Sequence, residues 1–378
     1  MTHVANRAFV PCCGTKMKRV TIASAGGYDR LKLEDVADPV PKVDEVLVRT
    51  DAVGVNFADS IIRMGLYESA KKYVGWPITP GFEFSGTVEA APKEGSSRWK
   101  VGDAVFGVTR FGGYATHVVV PPHQLFVQPQ KWSRLESAAF PAVFLTAYYA
   151  LVELANVRKG QTILVHSAAG GVGTALLQLA KVLGLRAVGV VGSSKKVQTA
   201  QNLGAALVID KSTQDLWREA KAFAPGGYDV VLDANGLETL GKSFEHLASP
   251  GKLVVYGFHS MFRRGNAAGA TKDGGLLQKL WGAGKPDYAK LAADWLRTPR
   301  FNPLDLTNLN RSVLAFNLSY LFDNTEFLSE AMTRMLDWVA AGDLVPPTVT
   351  TFPLEAVADA HRAIESGTTV GKLVLTTR

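Results

Sequence analysis

The residues best suited to chemistry lie in the middle of the chain, where Ala168, Gly170 and Gly173 are spaced along one turn. The apolar run 162–165 precedes this turn, and apolar residues at helical spacing follow it. A strand, a glycine-rich turn and a helix N-terminus in this order hold a dinucleotide pyrophosphate, because small residues let backbone N–H groups approach the anion. The alternative is a turn that uses glycine only to reach positive φ. We predict dinucleotide binding by a turn made of Ala168, Gly170, Gly171, Val172 and Gly173.

The end of the next predicted strand, 187–191, indicates which dinucleotide is bound. A site for NAD normally places Asp or Glu there to accept from the ribose 2′-hydroxyl, yet residues 174–209 contain neither. The strand is followed instead by Gly-Ser-Ser-Lys-Lys at 192–196. Hydroxyl and ammonium groups suit a 2′-phosphate, so the sequence predicts NADPH, with Ser193 and Lys196 on the phosphate.

Two more polar residues follow later strands of the same region. Lys211 comes just after another apolar run and is a second candidate for the phosphate. Asn235 follows the strand 229–233, where the crevice of such a sheet should lie. A solvated surface charge is the alternative for Lys195 and for Lys211. His166, just before the turn, is expected to be a satisfied core or crevice histidine rather than a catalyst.

The pattern of apolar runs indicates how these residues are positioned. Alternating strands and helices predict a doubly wound parallel sheet, with strands at 162–166, 187–191, 206–209, 229–233, 252–256 and 312–316. Earlier runs punctuated by Gly and Pro predict a β-rich module, with strands at 19–23, 45–55, 85–88, 101–107 and 114–120. Helices are predicted at 135–154, 287–297, 326–341 and 354–366, and a last strand at 371–375.

Size, charge and cysteine content limit the class of protein. The chain has 378 residues, a net charge of +7 and two cysteines, the adjacent Cys12 and Cys13. Two cysteines exclude a disulfide framework and fit a reducing cytoplasm, and a metal held by them with His3 is disfavoured at a frayed terminus. The basic residues are scattered without aromatic interleaving, so no nucleic-acid partner is expected. A weak contact with an acidic membrane surface remains open.

Several short motifs together resemble the quinone oxidoreductase branch of the medium-chain dehydrogenase/reductase superfamily. The resemblance covers nearly the whole chain from about residue 18 and is closest to the vesicle-amine-transport subgroup, whose pattern resembles the segment 315–321. Its other marks are the segments 53–59, 63–67, 80–86, 101–103, 168–173 and 370–372.

The resemblance implies an α/β fold with two domains. A GroES-like, β-rich catalytic domain would combine residues 1–140 with 319–378. A Rossmann domain on a doubly wound parallel sheet would span 141–318 and bind NADP(H), with an insert at about 259–310. Members of this family commonly form homodimers through edge strands of the nucleotide domain, so a homodimer is expected.

The resemblance also bears on metal binding. Zinc-dependent members carry a Cys and a His at the positions that Asn56 and Phe82 occupy here. An amide and a phenyl ring cannot replace a thiolate and an imidazole as zinc ligands, so we predict no metal. Glu83 matches the acidic residue of the same motif. We favour a buried ion pair or a turn position for Glu83 over a catalytic role.

A metal-free site needs an acceptor that is already activated, such as a quinone or an α,β-unsaturated carbonyl. The resemblance places Asn56 near the nicotinamide and Tyr67 at the substrate mouth as catalytic candidates. The alternative for Asn56 is a turn residue whose amide caps its own backbone. The alternative for Tyr67 is an aromatic side chain at the rim of the site with no catalytic role. The resemblance further implies cofactor contacts from Thr146, Phe316, Asn317, Leu318 and Lys372.

Two functional hypotheses follow. The first is a cytoplasmic, NADPH-dependent reductase of a quinone or an enone, including fatty-acyl or polyketide enones. The second is a non-catalytic NADPH-binding protein that handles lipids or docks at membranes. The second rests on the basic, glycine-rich stretch 260–286 and on an apolar helix face of Tyr288, Leu291 and Trp295, although such a face is more often a lid or a packing surface.

Overall fold

A computed structural model describes residues 16–92, 97–261 and 284–378 of the chain. The predicted but disfavoured metal ligands His3, Cys12 and Cys13 lie outside the described residues, as does the greater part of the basic stretch within the predicted insert. The structural statements below refer to the described ranges.

Fifteen strands are described. They are β1 (Lys16–Thr21), β2 (Lys32–Ala37), β3 (Val46–Val55), β4 (Glu83–Ala90), β5 (Ala104–Val108), β6 (His117–Val120), β7 (Leu125–Val127), β8 (Thr162–Val165), β9 (Arg186–Val191), β10 (Leu207–Asp210), β11 (Tyr228–Asp233), β12 (Leu247–Val255), β13 (Arg311–Ala315), β14 (Val349–Pro353) and β15 (Lys372–Thr376).

The α-helices in the described ranges connect or flank these strands. They are α1 (Phe57–Arg63), α2 (Glu68–Tyr73), α3 (Arg134–Ala138), α4 (Pro141–Tyr148), α5 (Gly171–Val182), α6 (Val197–Asn202), α7 (Leu216–Phe223), α8 (Leu240–Glu245), α9 (Tyr288–Arg297), α10 (Pro303–Leu309), α11 (Thr325–Ala341) and α12 (Val357–Glu365). A π-helical segment, Tyr149–Leu154, continues α4.

Six parallel strands form the first sheet, in the order β10-β9-β8-β11-β12-β13. The chain runs outward from β8 to β10 and then returns to β11 on the other side of β8, which creates a switch point next to β8. Strands β8 and β11 are almost wholly buried and read as continuous apolar runs, as parallel strands covered on both faces do. A crevice at the carboxyl ends of strands on either side of a switch point is where such sheets bind ligands.

The second sheet joins the two ends of the chain. It has the order β14-β15-β3-β4-β5-β7, with β6 also paired to β3. Strand β15 lies antiparallel to β3, with Leu373 opposite Val55. This pairing brings the last residues of the chain beside the strand that ends in Asn56. The predicted fold class, a parallel-sheet unit beside a β-rich unit, is confirmed.

The predicted helix 135–154 is wrong as a single element. The structure divides it into α3, α4 and the π-helical segment, with the interruption at Ala139 and Phe140. Pro141 stands at the first position of α4. A backbone N–H at that position has no partner within the helix, so its absence costs no hydrogen bond. In the interior of one continuous helix, the same proline would remove a hydrogen bond. The sequence prediction also missed β2, β7, β14 and the short helices α1, α2 and α10.

Helix α11 packs on the nucleotide side of the molecule. Its buried residues Leu328, Met332 and Met335 belong to the same apolar core as α4, α5 and the strand β8. The predicted boundary at residue 319 would assign this helix to the catalytic domain. In the described part of the chain, no helix is long and apolar enough to cross a membrane.

Candidate active site in the cleft between the two sheets

A cleft of about 1010 Å³ separates the two sheets. Residues from both units line it, including the ends of β8, β11 and β12 and the segment after β3. Ala168 and Ser193 are the predicted site residues that do not line the cleft. Those that do are Asn56, Tyr67, Thr146, Gly170, Gly171, Val172, Gly173, Lys196, Lys211, Asn235, Phe316, Asn317, Leu318 and Lys372.

The glycine-rich turn opens α5 at the carboxyl end of β8. Gly170 is the N-cap residue, and the first helical turn faces the cleft. A Cβ on Gly173 would lie 2.2 Å from the carbonyl oxygen of Ser167, so the turn closes this tightly only with glycine there. The helix N-terminus offers backbone N–H groups and a positive dipole end, which fit a pyrophosphate.

Ala168 has a different position from the one predicted. Its side chain is fully buried beneath the turn, and its backbone N–H donates to the carbonyl of Val190 at 2.9 Å. Its small size is needed for packing, because a Cβ on Gly189 would already lie 3.0 Å from the Ala168 methyl group. Ala168 therefore shapes the turn from below instead of facing the cleft.

The turn is joined to the other unit through Gly371. The Gly371 N–H donates to the carbonyl of Ala169 at 2.9 Å, and Gly371 forms a parallel bridge with Gly170. Gly371 has φ of +67°, and a Cβ there would lie 2.3 Å from the carbonyl oxygen of Thr348. This close approach holds the start of β15 against the phosphate-binding turn.

Lys372 follows immediately and is almost completely buried, with 3% of its side chain exposed. Its ammonium donates to the carbonyl of Val55 at 2.7 Å and to Asn56 Oδ1 at 2.6 Å, and it pairs with Glu83 Oε1 at 2.7 Å. An ammonium has three donors, so these three partners use all of them. Lys372 was predicted to contact the cofactor; the structure instead directs its charge to Asn56 and Glu83, while its aliphatic part lies beside Gly171.

Asn56 stands at the N-cap of α1 and lines the cleft. Its side-chain Nδ2 donates to Glu83 Oε1 at 2.9 Å. The other carboxylate oxygen of Glu83 accepts from the backbone N–H of Ala142 at 2.7 Å. The amide therefore bonds to two side chains of the β-rich unit, and Glu83 forms the buried ion pair that was its favoured interpretation.

Asp59 supports Asn56 from the backbone side. Its carboxylate accepts from the N–H of Asn56 at 2.8 Å, from the Tyr114 hydroxyl at 2.9 Å and from the N–H of Gly81 at 3.0 Å. Burial raises the pKa of Asp59 to about 6, although these hydrogen bonds act in the opposite direction. The sequence prediction did not single out Asp59.

Tyr67 lies at the cleft wall just before α2. Its hydroxyl donates to Asn317 Oδ1 at 2.8 Å, which connects the two predicted site residues directly. Its ring meets the edges of Phe82 and Phe111, with centroid distances of 5.9 and 6.5 Å. Burial raises the pKa of Tyr67 to about 12, so the phenol keeps its proton at neutral pH.

Two lysines that follow strands of the parallel sheet, Lys196 and Lys211, also line the cleft, as does Gly192. The Lys196 ammonium donates to the carbonyl of Gly367 at 2.7 Å. Ser193 caps the short turn that contains Lys196, through its backbone carbonyl. Both predicted lysines thus line the cleft, whereas Ser193 does not.

An acidic residue that the sequence prediction did not single out directly precedes Lys211. Asp210 is the last residue of β10, one position beyond the interval found free of acid. Its carboxylate accepts from the hydroxyls of Ser194 and Ser212, each at 2.6 Å. The hydrogen bond from Ser194 lowers the pKa of Asp210. Asp210 does not line the cleft, so its charge is directed at these hydroxyls.

Asn235, Thr146 and Phe316 also line the cleft. Asn235 Oδ1 accepts from the hydroxyl of Ser167 at 2.9 Å, and the Thr146 hydroxyl donates within α4 to Ala142 at 2.7 Å. Phe316 packs on Tyr149 with a centroid distance of 4.8 Å. His166 is fully buried, and burial lowers its pKa, in keeping with a neutral core histidine that bonds Ser243 at 3.0 Å.

Comparison with known proteins accounts for this arrangement. The family model for an alcohol dehydrogenase GroES-like domain matches residues 42–130, and that for a zinc-binding dehydrogenase matches residues 203–375. The chain is 36% identical to the synaptic vesicle membrane protein VAT-1 homolog of Danio rerio over 95% of this chain and 70% of that protein. It is 30% identical to the human quinone oxidoreductase over 95% of this chain and 97% of that protein.

A solved structure agrees with these relatives. The Escherichia coli quinone oxidoreductase, crystallised in complex with NADPH, has a TM-score of 0.78 and 26% identity over 95% of this chain and 100% of that chain. The chain belongs to the quinone oxidoreductase branch of the medium-chain dehydrogenase/reductase superfamily. The resemblance inferred from the motifs is therefore confirmed.

One of the matching family models describes zinc-binding dehydrogenases, and the residues of this quinone oxidoreductase-branch chain do not fit that metal. Phe82 is buried against Tyr67 and Phe111 and has no donor atom. The amide of Asn56 is committed to Lys372 and Glu83. The ammonium of Lys372 lies where a cation would meet Glu83, so the carboxylate already has its positive partner.

Proposed function

We propose that this protein is a metal-free oxidoreductase that transfers a hydride from NADPH to a quinone or an α,β-unsaturated carbonyl. The observation that carries the proposal is that one cleft is lined by Lys196 and Lys211, by Asn56 and Tyr67, and by the glycine-rich turn. Two lysines suit a 2′-phosphate, and the Asn56 amide suits a neutral carbonyl acceptor.

The cofactor fits the residues present. The first turn of α5 would hold the pyrophosphate through backbone N–H groups, because Gly173 lets the turn close beneath it. Lys196 and Lys211 would hold the 2′-phosphate, and Phe316, Asn317 and Leu318 would lie along the nicotinamide side. When bound, NADPH supplies the hydride.

The residues of the chain orient the acceptor and stabilise charge on its oxygen. Asn56 contributes a side-chain N–H donor at the cleft surface. Tyr67 keeps its proton and orders the wall by its bond to Asn317. Apolar side chains exclude water around the reacting atoms, which strengthens any hydrogen bond to a developing oxyanion. These include Phe57, Ile61, Leu66, Phe82 and Leu318.

The proposal is tested by NADPH oxidation with a panel of quinones and alkenals, beside equilibrium binding of NADPH. Turnover of at least one class, with NADPH preferred over NADH, is the expected result. Tight NADPH binding with no turnover of any acceptor would contradict the catalytic part. Metal chelators should leave the rate unchanged, and loss of activity on chelation would contradict the metal-free part.

A second function has one specific observation in its favour. Helix α9 exposes Tyr288, Trp295 and Leu296, with 58%, 65% and 67% of each residue accessible. We infer a weak membrane-docking role as the alternative, since amphipathic helices bind lipid through such side chains. Co-sedimentation with phosphatidylserine vesicles should be lost in Trp295→Ser with Leu296→Ser, and no sedimentation of the intact protein would dismiss the role.

The assembly, location and domain boundaries predicted from the sequence stay predictions. Strand β13 ends the parallel sheet in the described part of the chain, and we propose this edge as the contact between two copies in a homodimer. Sedimentation equilibrium tests the homodimer, since a monomer at micromolar concentration would contradict it. The predicted cytoplasmic location rests only on the cysteine content.

A further inference from the structure

We propose that Glu83 and Lys372 are positioning residues that hold the Asn56 amide in one orientation, with one side-chain N–H left for the acceptor oxygen. This inference rests on the proposed function, because it assigns the amide its role in hydride transfer. It changes the role of Lys372, which the family resemblance assigned to the cofactor.

The two charged partners decide which way the amide faces. The ammonium of Lys372 can only donate, and it lies 2.6 Å from Asn56 Oδ1. The Glu83 carboxylate receives donors on both oxygens, one of them Asn56 Nδ2 at 2.9 Å. A flipped amide would place its NH₂ group against an ammonium and its oxygen against a carboxylate. Both contacts would be repulsive in a buried site, so only one orientation is stable.

The number of acceptors around the Asn56 NH₂ group shows which of its N–H donors can reach a substrate. The Asn56 NH₂ group has two N–H donors, and Glu83 accepts one of them. Within the described ranges the side chain has no other acceptor, and Asn56 lines the cleft. The second N–H is therefore the group that a carbonyl acceptor can meet. A flipped amide would present an oxygen instead and would repel the negative charge that develops there.

The supports of the amide are themselves fixed. Glu83 is held by the backbone N–H of Ala142, and Gly54 leaves the space that the carboxylate needs, since a Cβ there would lie 2.3 Å from Oε1. Lys372 is held by the carbonyl of Val55, and its stem lies beside Gly171 of the phosphate-binding turn. The pair thus fixes the amide relative to the cofactor-binding turn.

The principal test is Glu83→Gln, because glutamine keeps the shape but can donate as well as accept, so that Lys372 alone of the two partners still selects one amide orientation. We expect kcat to fall about tenfold, as small misplacements of catalytic groups do. The primary isotope effect with NADPH deuterated at the transferred position should rise, because hydride transfer becomes slower. In the Asn56→Ala background, the same substitution should change kcat by less than about twofold.

Matched variants separate positioning from stability. Asp229→Asn removes a carboxylate that accepts from the Thr162 N–H at 2.7 Å, outside the cleft lining. It should lower the melting temperature without changing the isotope effect. If Lys372→Met fails to fold because Glu83 is left unpaired, the double variant Lys372→Met with Glu83→Gln removes both charges and should show the same raised isotope effect.

Two results would overturn the inference. One is an equal loss of kcat from Glu83→Gln with and without Asn56; the other is an unchanged kcat and isotope effect at a lowered melting temperature. If the intact protein reduces no acceptor, the proposed function fails, and spectra of protein labelled with ¹⁵N-asparagine then decide the orientation. The Asn56 side-chain signals should shift in Glu83→Gln, and unchanged signals would contradict the positioning.

Discussion

The Lys196 ammonium donates to the carbonyl oxygen of Gly367 at 2.7 Å, although the two residues are 171 positions apart. Lys196 follows β9 of the parallel sheet, and Gly367 follows α12 beside the other sheet. Both residues line the cleft. The lysine proposed to bind the 2′-phosphate therefore also joins the two sides of the site.

Replacement of Lys196 by alanine should weaken NADPH far more than NADH. Loss of a charge-assisted contact to phosphate corresponds to a loss of about tenfold to a hundredfold in NADPH affinity. The affinity for NADH, which lacks that phosphate, should change by less than about threefold. Lys195→Ala is the matched control, since Lys195 is exposed and does not line the cleft. Equal losses for both cofactors in Lys196→Ala would refute the phosphate assignment.

Alanine at Gly173 should disrupt the phosphate-binding turn. The added Cβ would lie 2.2 Å from the Ser167 carbonyl oxygen and 2.7 Å from the Ala168 Cα, so the backbone must shift. We expect a loss of about 1–3 kcal/mol in the free energy of unfolding and a clear loss of NADPH affinity. Urea unfolding and cofactor titration measure the two effects.

The control for this substitution is Gly241→Ala. A Cβ on Gly241 meets no atom within 4 Å, and the residue lies in helix α8. Alanine there should stabilise the protein by up to about 1 kcal/mol. If Gly173→Ala behaved like Gly241→Ala, the tight closure of the turn would not matter for binding.

Tyr67→Phe should lower kcat by less than about tenfold, because hydride transfer between aligned partners needs little acid–base help. The Tyr67 hydroxyl donates a hydrogen bond to Asn317 Oδ1 at 2.8 Å. Burial raises the pKa of Tyr67 to about 12. The phenol is therefore protonated at every pH of an ordinary assay. The profile of kcat between pH 6 and pH 10 should have no limb that disappears in Tyr67→Phe; such a limb would identify Tyr67 as a proton donor.

The buried His361 should make the protein sensitive to mild acid. Burial, with the nearby charge of Arg63, lowers the pKa of His361 from 6.5 to about 3. A lowered pKa in the folded state gives stability that is present above pH 6.5 and is lost as the pH falls toward 3. The loss per pH unit is about 1.4 kcal/mol at most.

The variant His361→Gln should lose this pH dependence. Asp59 acts in the opposite direction, because its raised pKa makes the folded state gain stability as the pH falls through about 6. The difference in unfolding free energy between the intact protein and His361→Gln, measured at pH 7, 6 and 5, isolates the histidine. That difference should shrink with falling pH, and a constant difference would contradict the prediction.

Local patterns in the sequence were sufficient for much of the nucleotide side. The turn 168–173 and the basic stretch 192–196 are contiguous, so their chemistry is visible without a fold. The strands β8, β9, β10 and β11 of the parallel sheet were predicted within a few residues because they are mostly buried apolar runs. The break at Pro141 was missed because the flanking residues have a uniform helical pattern. Asp210 was missed because strand order, not chain order, brings it beside Ser194.

The fold class, the dinucleotide turn and the residue types that do not suit zinc could be inferred without a structure, since each depends on neighbouring residues or on one position. Which side chains of the site bond to one another depends on how the chain folds in three dimensions. Asn56 and Lys372 are 316 positions apart, and Tyr67 and Asn317 are 250 apart. The pairing of β15 with β3 brings the first pair together, and the contact between the segment before α2 and the segment after β13 brings the second. Periodicity records which face of an element is buried, but it does not record which other element covers that face.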